Sequence, residues 1–550
     1  MPLDGFTPWP EKLAREYKAK GYWPDQTIPE VLEPWFRKTP DRVAIVDETS
    51  RVTYGELGSI THRLSLAMLE LGVKKEDRVL LQLPNWAEFF YFYFGLMKFG
   101  AIPVMAIPHL RSVELGHLMG LTDPVAMAIP PSYRGFDYIA LAEELRRQFP
   151  KLAHIIVVRG QAPPGMHSLD DLLGKVEAAN YPPNYLDRLK PDPDDVAFIL
   201  HTGGTTGLPK GVCRTHNDFL SNYNTYQRHW GWGPDTVNLS NLPVELNASL
   251  GRATNCLLVG GKEVVITSTT PEAMIQAIET EGVNDMLPVP TQGVDLLNLP
   301  DLEQHDLSAL KRMYCGVGVF TADQLRTLRD RMGCQILRAY GMTEGPTLRS
   351  RPTDTLEEVI ERIGPPCCEV DEFKIVDEEG NEVPRGQEGE LLAQGPHVIR
   401  GYYKAPEENQ RSFDRDGFFR TGDNAFIDEK GYIRLTGRKK DWIRRGGQTI
   451  IPLEIEDPLI SHPKIENAAA VGMPDPRLGE RTCIYIQPRP GQSITLEEVT
   501  QYLQEKGLAK YKLPERIELV SQMPLTGHGK VDKKPLREAI AQKLEAEGKV

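Results

Sequence analysis

Residues 201–211 read HTGGTTGLPKG and follow directly on the apolar run DVAFIL (195–200). An apolar run feeding a Gly/Thr-rich turn predicts a buried strand and then a loop. Glycines let backbone N–H groups approach an anion closely, threonine hydroxyls add donors, and one lysine supplies charge. The spacing departs from G-x-x-x-x-G-K-[ST], so this is not a Walker-type loop. Taken alone, the stretch reads equally well as a solvated connection between strand and helix.

Working upstream, strands and helices alternate. VAIVDETSRVTYGEL (43–57) predicts a strand pair joined by a polar turn, and ITHRLSLAMLELGV (60–73) an amphipathic helix ending at Gly72. DRVLLQLP (77–84), WAEFFYFYFGLMKFG (86–100) and AIPVMAI (101–107) then read strand, helix, strand. Such alternation predicts parallel sheets covered by helices, and it recurs over 191–268 and 271–345. From 364 the texture changes to short alternating strands with Gly/Pro turns, which predicts a small β subdomain. After GRKKD (437–441) a shorter α+β pattern follows, with helices expected at 453–462, 495–507 and 535–547. The expected fold is therefore α/β. Residues 1–440 hold two parallel-sheet subdomains and a small β subdomain, and 441–550 a small mobile α+β domain, with the junction at Lys440–Asp441.

With 550 residues the chain is too long for a single core. Its 40% apolar and 26% charged residues are those of a globular protein. A net charge of −13 argues against a general binder of nucleic acid. The seven cysteines form no C-x-x-C pair, which fits a reducing compartment. The N-terminal stretch lacks the pattern of a secretory leader. The most apolar segment (89–107) is broken by Lys98, Gly100 and Pro103 and does not read as a membrane span. A cytoplasmic protein is expected.

Four further motifs give the opening stretch its meaning: YGMTEG (340–345), RTGD (420–423), GRKKDWIRRGG (437–447) and PLTGHGKVDKKPL (524–536). Together with TGGTTGLPKG (202–211), their order and separations resemble the adenylate-forming superfamily of acyl-CoA ligases, peptide-synthetase adenylation domains and luciferases. The resemblance spans essentially the whole chain. It is greatest to stand-alone aryl-acid enzymes of the 2,3-dihydroxybenzoate–AMP ligase type, through GFTPWPEKLAREYKAKGYW (5–23), RTHNDF (214–219) and RGYYKAPEENQRSFDRDGFFRTGD (400–423).

The resemblance implies attack of a carboxylate on the α-phosphorus of ATP, giving an acyl-adenylate and pyrophosphate. Thr202, Gly203, Gly204, Thr205, Thr206, Gly207 and Lys210 would hold the outer phosphates, Thr343 the α-phosphate and Glu344 a magnesium ion. Tyr340 would stack on adenine, with Val317, Gly318 and Ala339 lining its pocket. Asp423 would accept from the ribose hydroxyls, with Arg438 and Lys440 nearby. Lys530 corresponds to the catalytic lysine of the small domain, bridging carboxylate and α-phosphate. Asp441 matches the hinge for the second half-reaction. Arg444, Arg445, Gly446 and Gly447 would then move in, the last three lining the thiol's tunnel.

The acid pocket falls on LPVELNASLG (242–251), a stretch that is neither clearly helix nor clearly loop. Asn247 matches the group's acid-facing asparagine, but Leu246 stands in place of a histidine and Ala248 in place of an aromatic residue. Gly316 and Gly341 complete the expected pocket, and Val317 replaces a second glycine. These departures put dihydroxybenzoate itself in doubt while keeping an aromatic or heteroaromatic acid. The acceptor is expected to be a carrier-protein phosphopantetheine, as in siderophore or peptide assembly. Coenzyme A is the near alternative, and a non-catalytic nucleotide- or acyl-binding homologue the remote one.

Overall fold

Strands Arg78–Leu81 and Ile102–Met105 flank a helix, Ala87–Met97, that is apolar apart from Glu88 in its first turn and is buried at every other position. Phe89, Phe90, Phe92 and Phe94 are fully buried there, each contributing about 1.5–3 kcal/mol. Phe89 stacks on Tyr93 at 5.9 Å. The preceding helix, Tyr54–Glu70, starts at a capping box in which Thr53 and Glu56 satisfy each other's backbone N–H. The helix starts six residues earlier than the sequence suggested, inside the stretch read as a strand pair, because the cap at Thr53 initiates it. It terminates as expected before Gly72, which sits at φ +89°.

The computed structural model describes residues 3–202, 209–318, 320–438, 441–445, 448–525 and 531–548. It has two large, mostly parallel sheets. One has seven strands: Gly211–Thr215, Val196–His201, Ile102–Met105, Arg78–Leu81, Ala126–Ile129, His154–Val157 and His167–Ser168, in that spatial order. The other has eight, running from Thr347–Arg349 through Gln335–Gly341, Arg312–Cys315, Asp285–Met286, Val237–Ser240 and Lys262–Val265 to Val43–Val46 and Arg51–Thr53. Antiparallel partners occur only at sheet margins, as at Val196–His201 against Gly211–Thr215. The antiparallel subdomain expected after 364 is a four-stranded sheet of Glu372–Val376, Gly389–Gln394, Phe419–Ile427 and Ile433–Arg438.

Beyond it, strands Ile465–Asp475, Gly479–Pro488 and Arg516–Leu519 form a smaller α+β unit with helices Pro452–Ile460, Leu496–Glu505 and Lys533–Ala546. Its own apolar core gathers Ile443, Ile455, Ile484 and Val499. The buried Glu456 carboxylate ties this unit together, accepting from the Ala470 N–H and from Lys533, both at 2.6 Å.

Asn85 joins the two large sheets. Its side-chain amide donates to the carbonyls of Ser240 (3.3 Å), Leu242 (2.9 Å) and Ile266 (3.0 Å), and its Oδ1 accepts from the Val244 N–H at 2.9 Å. One buried side chain thus holds the backbone that leads into LPVELNASLG. Among the described residues no helix is long and apolar enough to cross a membrane.

Candidate active site

A cavity of about 1110 Å³ opens where strands of both parallel sheets end, with the four-stranded sheet and three residues of the C-terminal unit, Leu525, Asp532 and Lys534, completing its wall. Carboxyl ends of parallel strands are where α/β sheets bind ligands, because the loops diverge there and leave a crevice.

On one side, Val196–His201 and Gly211–Thr215 hold the glycine-rich stretch at its base. Thr202 donates its N–H to the Lys210 carbonyl at 3.0 Å. The Lys210 ammonium pairs with Glu408 at 2.6 Å and lies 4.4 Å from the Tyr402 ring centroid. That pairing holds the Glu408 carboxyl below its ordinary value. Tyr402 donates its hydroxyl to Glu344 Oε1 at 2.6 Å. Burial, reinforced by the Glu344 charge, pushes the Tyr402 phenol well up, so it serves as a donor.

The turn carrying Glu344 has little freedom. Ile399 donates to the Glu344 carbonyl at 2.9 Å, and Arg214, held by the buried Asp218 at 2.7 Å, donates to the Thr343 carbonyl at 3.3 Å. Gly345 sits at φ +119°, where a Cβ would stand 1.9 Å from the His397 carbonyl oxygen, so no other residue fits this approach. Tyr340 donates its hydroxyl to Asp423 at 2.8 Å, and the strand register sets Asp423 opposite Arg438.

The other side is built on helix Asn247–Leu258, whose Asn247, Ala248, Gly251, Arg252 and Asn255 line the cavity. That spacing marks a single helical face. Asn247 donates its amide to the Met342 carbonyl at 3.1 Å, fastening the helix start to the YGMTEG turn. Opposite stand Trp230 and Tyr314, ring centroids 4.1 Å apart, with the Arg349 guanidinium 4.6 Å from the Trp230 ring. Val317 lines the same wall at φ +58°, an unusual backbone for a β-branched residue.

The AMP-binding enzyme family model matches residues 32–403, and the AMP-binding enzyme C-terminal domain model matches 454–530. The chain belongs to the AMP-binding enzyme family. As an AMP-binding enzyme it is 38% identical over 544 residues to the 2,3-dihydroxybenzoate-AMP ligase of Bacillus subtilis (strain 168), covering 98% of this chain and 99% of that protein. It is 35% identical over 545 residues to the salicyl-AMP ligase / salicyl-S-ArCP synthetase of Mycobacterium tuberculosis (strain ATCC 25618 / H37Rv), covering 97% and 94%. Among solved structures, apo MbtA of Mycobacterium smegmatis matches with a TM-score of 0.73 at 36% identity, covering 98% of this chain and 99% of that one.

In this AMP-binding enzyme the structure brings Thr202, Lys210, Thr343 and Glu344 to one cavity with Ala339, Tyr340 and Gly341. Leu246, Asn247, Ala248, Gly316 and Val317 line the same space. Gly318 follows Val317 in the chain, and Asp423 is reached through Tyr340. Two expected residues stand apart. Asp441 pairs with Arg537, and Arg445 makes a forked pair with Glu515 at 3.0 and 3.2 Å. Gly203, Gly204, Thr205, Thr206, Gly207, Lys440, Gly446, Gly447 and Lys530 lie outside the described residues, as do the side chains of Arg438 and Arg444.

Sequence reading missed Trp230, Arg252, Tyr314 and Arg349. A signal existed for Arg252: it is the one charged residue in NASLGRATNCLL, five positions after Asn247. The other three come from two separate strands and the end of helix Tyr223–Trp230, and no spacing rule joins them.

Proposed function

We propose that this chain condenses an aromatic carboxylic acid with ATP to an acyl-adenylate and passes the acyl group to a phosphopantetheine thiol of a carrier protein. One observation carries the reading. A single continuous cavity joins the base of the glycine-rich stretch, Glu344 and Tyr340 to a recess walled by Asn247, Trp230, Tyr314 and Val317, with Asp423 bonded behind Tyr340. A triphosphate and an aromatic acid therefore meet in one space.

A carboxylate oxygen of the acid attacks the α-phosphorus, and the bond to the bridging oxygen of pyrophosphate breaks. Both partners are anionic, so positioning and charge neutralisation do most of the work. Lys210 exchanges Glu408 for the incoming phosphates. Tyr340 offers its face to adenine and Asp423 accepts from the ribose. Asn247, tied to Met342, sets the acid at the mouth of its recess. Glu344 suits magnesium, which takes one or two carboxylates plus phosphate oxygens and would offset charge on the leaving pyrophosphate. Lys530 is assigned the bridging role between acid and α-phosphate. The chain divides at Lys440–Asp441, and rotation about Asp441 brings Arg445 toward the thiol's path. We place the reaction in the cytoplasm.

Pyrophosphate exchange measured over aromatic, heteroaromatic and aliphatic acids tests the first half-reaction. Exchange confined to aliphatic acids overturns the substrate class. Presenting the best acid with either coenzyme A or a phosphopantetheinylated aryl carrier protein then tests the acceptor. Thioester formed only on coenzyme A overturns the carrier assignment.

A further inference from the structure

Past Asn247, the acid recess ends on charge. Arg252 stands five residues along the helix, about 7.5 Å further from the reaction centre by helical rise. It is 3% exposed and lines the cavity. Its Nη2 donates to Asn238 Oδ1 at 2.8 Å and pairs with Asp285. Its Nε and Nη1 have no acceptor among the described residues. The guanidinium carbon is 5.0 Å from the Trp232 ring centroid and 4.9 Å from that of Tyr314. The Tyr314 hydroxyl is likewise buried without a partner among the described residues.

The charges behind this wall do not cancel. Asp285 already serves Arg312 at 3.0 Å and accepts from Trp232 Nε1 at 2.9 Å. The other buried carboxyl, Glu263, is bound by Asn238 and Ser240, and burial pushes it up to about 8, so it holds its proton at neutral pH. Two guanidinium groups therefore share one carboxylate. Leaving buried charged donors unpaired is costly, and a ligand that supplies the missing acceptor removes that cost.

We propose that Arg252 reads a hydrogen-bond acceptor on the edge of the acid remote from its carboxylate, so that the substrate is an extended aromatic acid bearing a ring nitrogen or carbonyl oxygen there. A monocyclic acid whose polar groups all flank the carboxylate leaves Arg252 unanswered. Asn255, three residues on, has an Oδ1 without a partner among the described residues, which suits a hydroxyl or N–H beside that acceptor. The inference rests on the acid-adenylating function proposed above.

The test is pyrophosphate exchange by the full-length protein with shape-matched acids, quinoline-6-carboxylate against naphthalene-2-carboxylate, which differ only by the remote ring nitrogen. The wild type is expected to favour the quinoline in kcat/KM by about 10- to 100-fold, the range for a hydrogen bond to a charged group. The ratio should fall to within about threefold in Arg252→Met and to an intermediate value in Arg252→Lys, which keeps a charge beside Asp285 but loses the planar fork. A wild type that handles both acids equally, or an Arg252→Met enzyme that keeps the wild-type ratio, overturns the inference and leaves acid activation standing. No exchange with any aromatic acid overturns the underlying reading and this one with it. Should Arg252→Met not fold, the wild-type ratio and Arg252→Lys decide.

Discussion

Tyr402 places its hydroxyl 2.6 Å from Glu344 and its ring 4.4 Å from the Lys210 ammonium. One residue therefore orients both the carboxylate proposed for the metal and the lysine proposed for the outer phosphates. Tyr402→Phe separates these duties, since the ring remains and the hydrogen bond goes. We expect exchange activity to fall about tenfold, as for loss of one bond to a charged group, with the magnesium requirement shifted to higher concentration. Titrating magnesium in the exchange assay checks this. An unaltered magnesium dependence would show that the hydroxyl does not position Glu344.

Lys210 and Glu408 form a partly exposed pair, the side chains 29% and 34% accessible. Glu408 competes with phosphate for the same ammonium, and pairs this exposed are weak because water screens them. Glu408→Gln should thus tighten ATP binding by about two- to fivefold, while Lys210→Ala weakens it. Calorimetric titration with ATP measures both. Weaker binding in Glu408→Gln would show that the carboxylate supports the lysine instead of competing for it.

Val317 holds φ +58° with a β-branched side chain, a strain of about 1–3 kcal/mol. Glycine adopts this backbone freely but brings about 0.5–1 kcal/mol of extra unfolded-state entropy. Val317→Gly is expected to gain about 1 kcal/mol in urea denaturation and to admit bulkier acids in the exchange panel. A clear loss of stability would mean that packing by the valine outweighs its strain.

His216 is buried and its Nδ1 accepts from the Ile28 N–H at 3.1 Å, which requires a neutral imidazole. Burial lowers its pKa to about 3, against about 6.5 unfolded. Below pH 6.5 the unfolded chain binds the proton and the native protein does not, so stability is lost as pH falls from 6.5 toward 3. The slope is about 1.4 kcal/mol per pH unit for this group. His216→Asn keeps an acceptor without a titrating group and should flatten that slope. Urea midpoints between pH 7 and pH 5 test it, and an unaltered slope excludes His216 as a source.

How much of this was readable from the chain depends on the range of the forces involved. The helix Ala87–Met97 and the strands around it were legible because an unbroken apolar run between turns has few alternatives. The start of helix Asn247–Leu258 was not. Its N-cap is Leu246, which makes no side-chain cap, and Asn247 spends its amide on Met342 across the cavity. The usual N-terminal signal is absent because tertiary contact replaces it. The motifs at 202, 340 and 420 pointed to one site, and three of its polar pairings join residues far apart in sequence: Lys210 with Glu408, Glu344 with Tyr402, Tyr340 with Asp423. The Trp230–Tyr314 wall of the acid recess carried no local pattern, since its two rings are 84 positions apart and meet only when the sheet forms.

Asn85 fixes the backbone at Leu242 and Val244 through main-chain atoms alone, from the opposite sheet. The helix that walls the acid recess therefore inherits its approach from the scaffold, with Asn247 adding a bond of its own to Met342. Leu246, Ala248 and Gly251 carry no polar side-chain atom and can be exchanged while the scaffold stays registered, whereas Arg252 is itself tied to Asn238 and Asp285. In evolutionary terms, a change of substrate in this fold needs new side chains on a fixed rail, and the nucleotide half need not move to accommodate it.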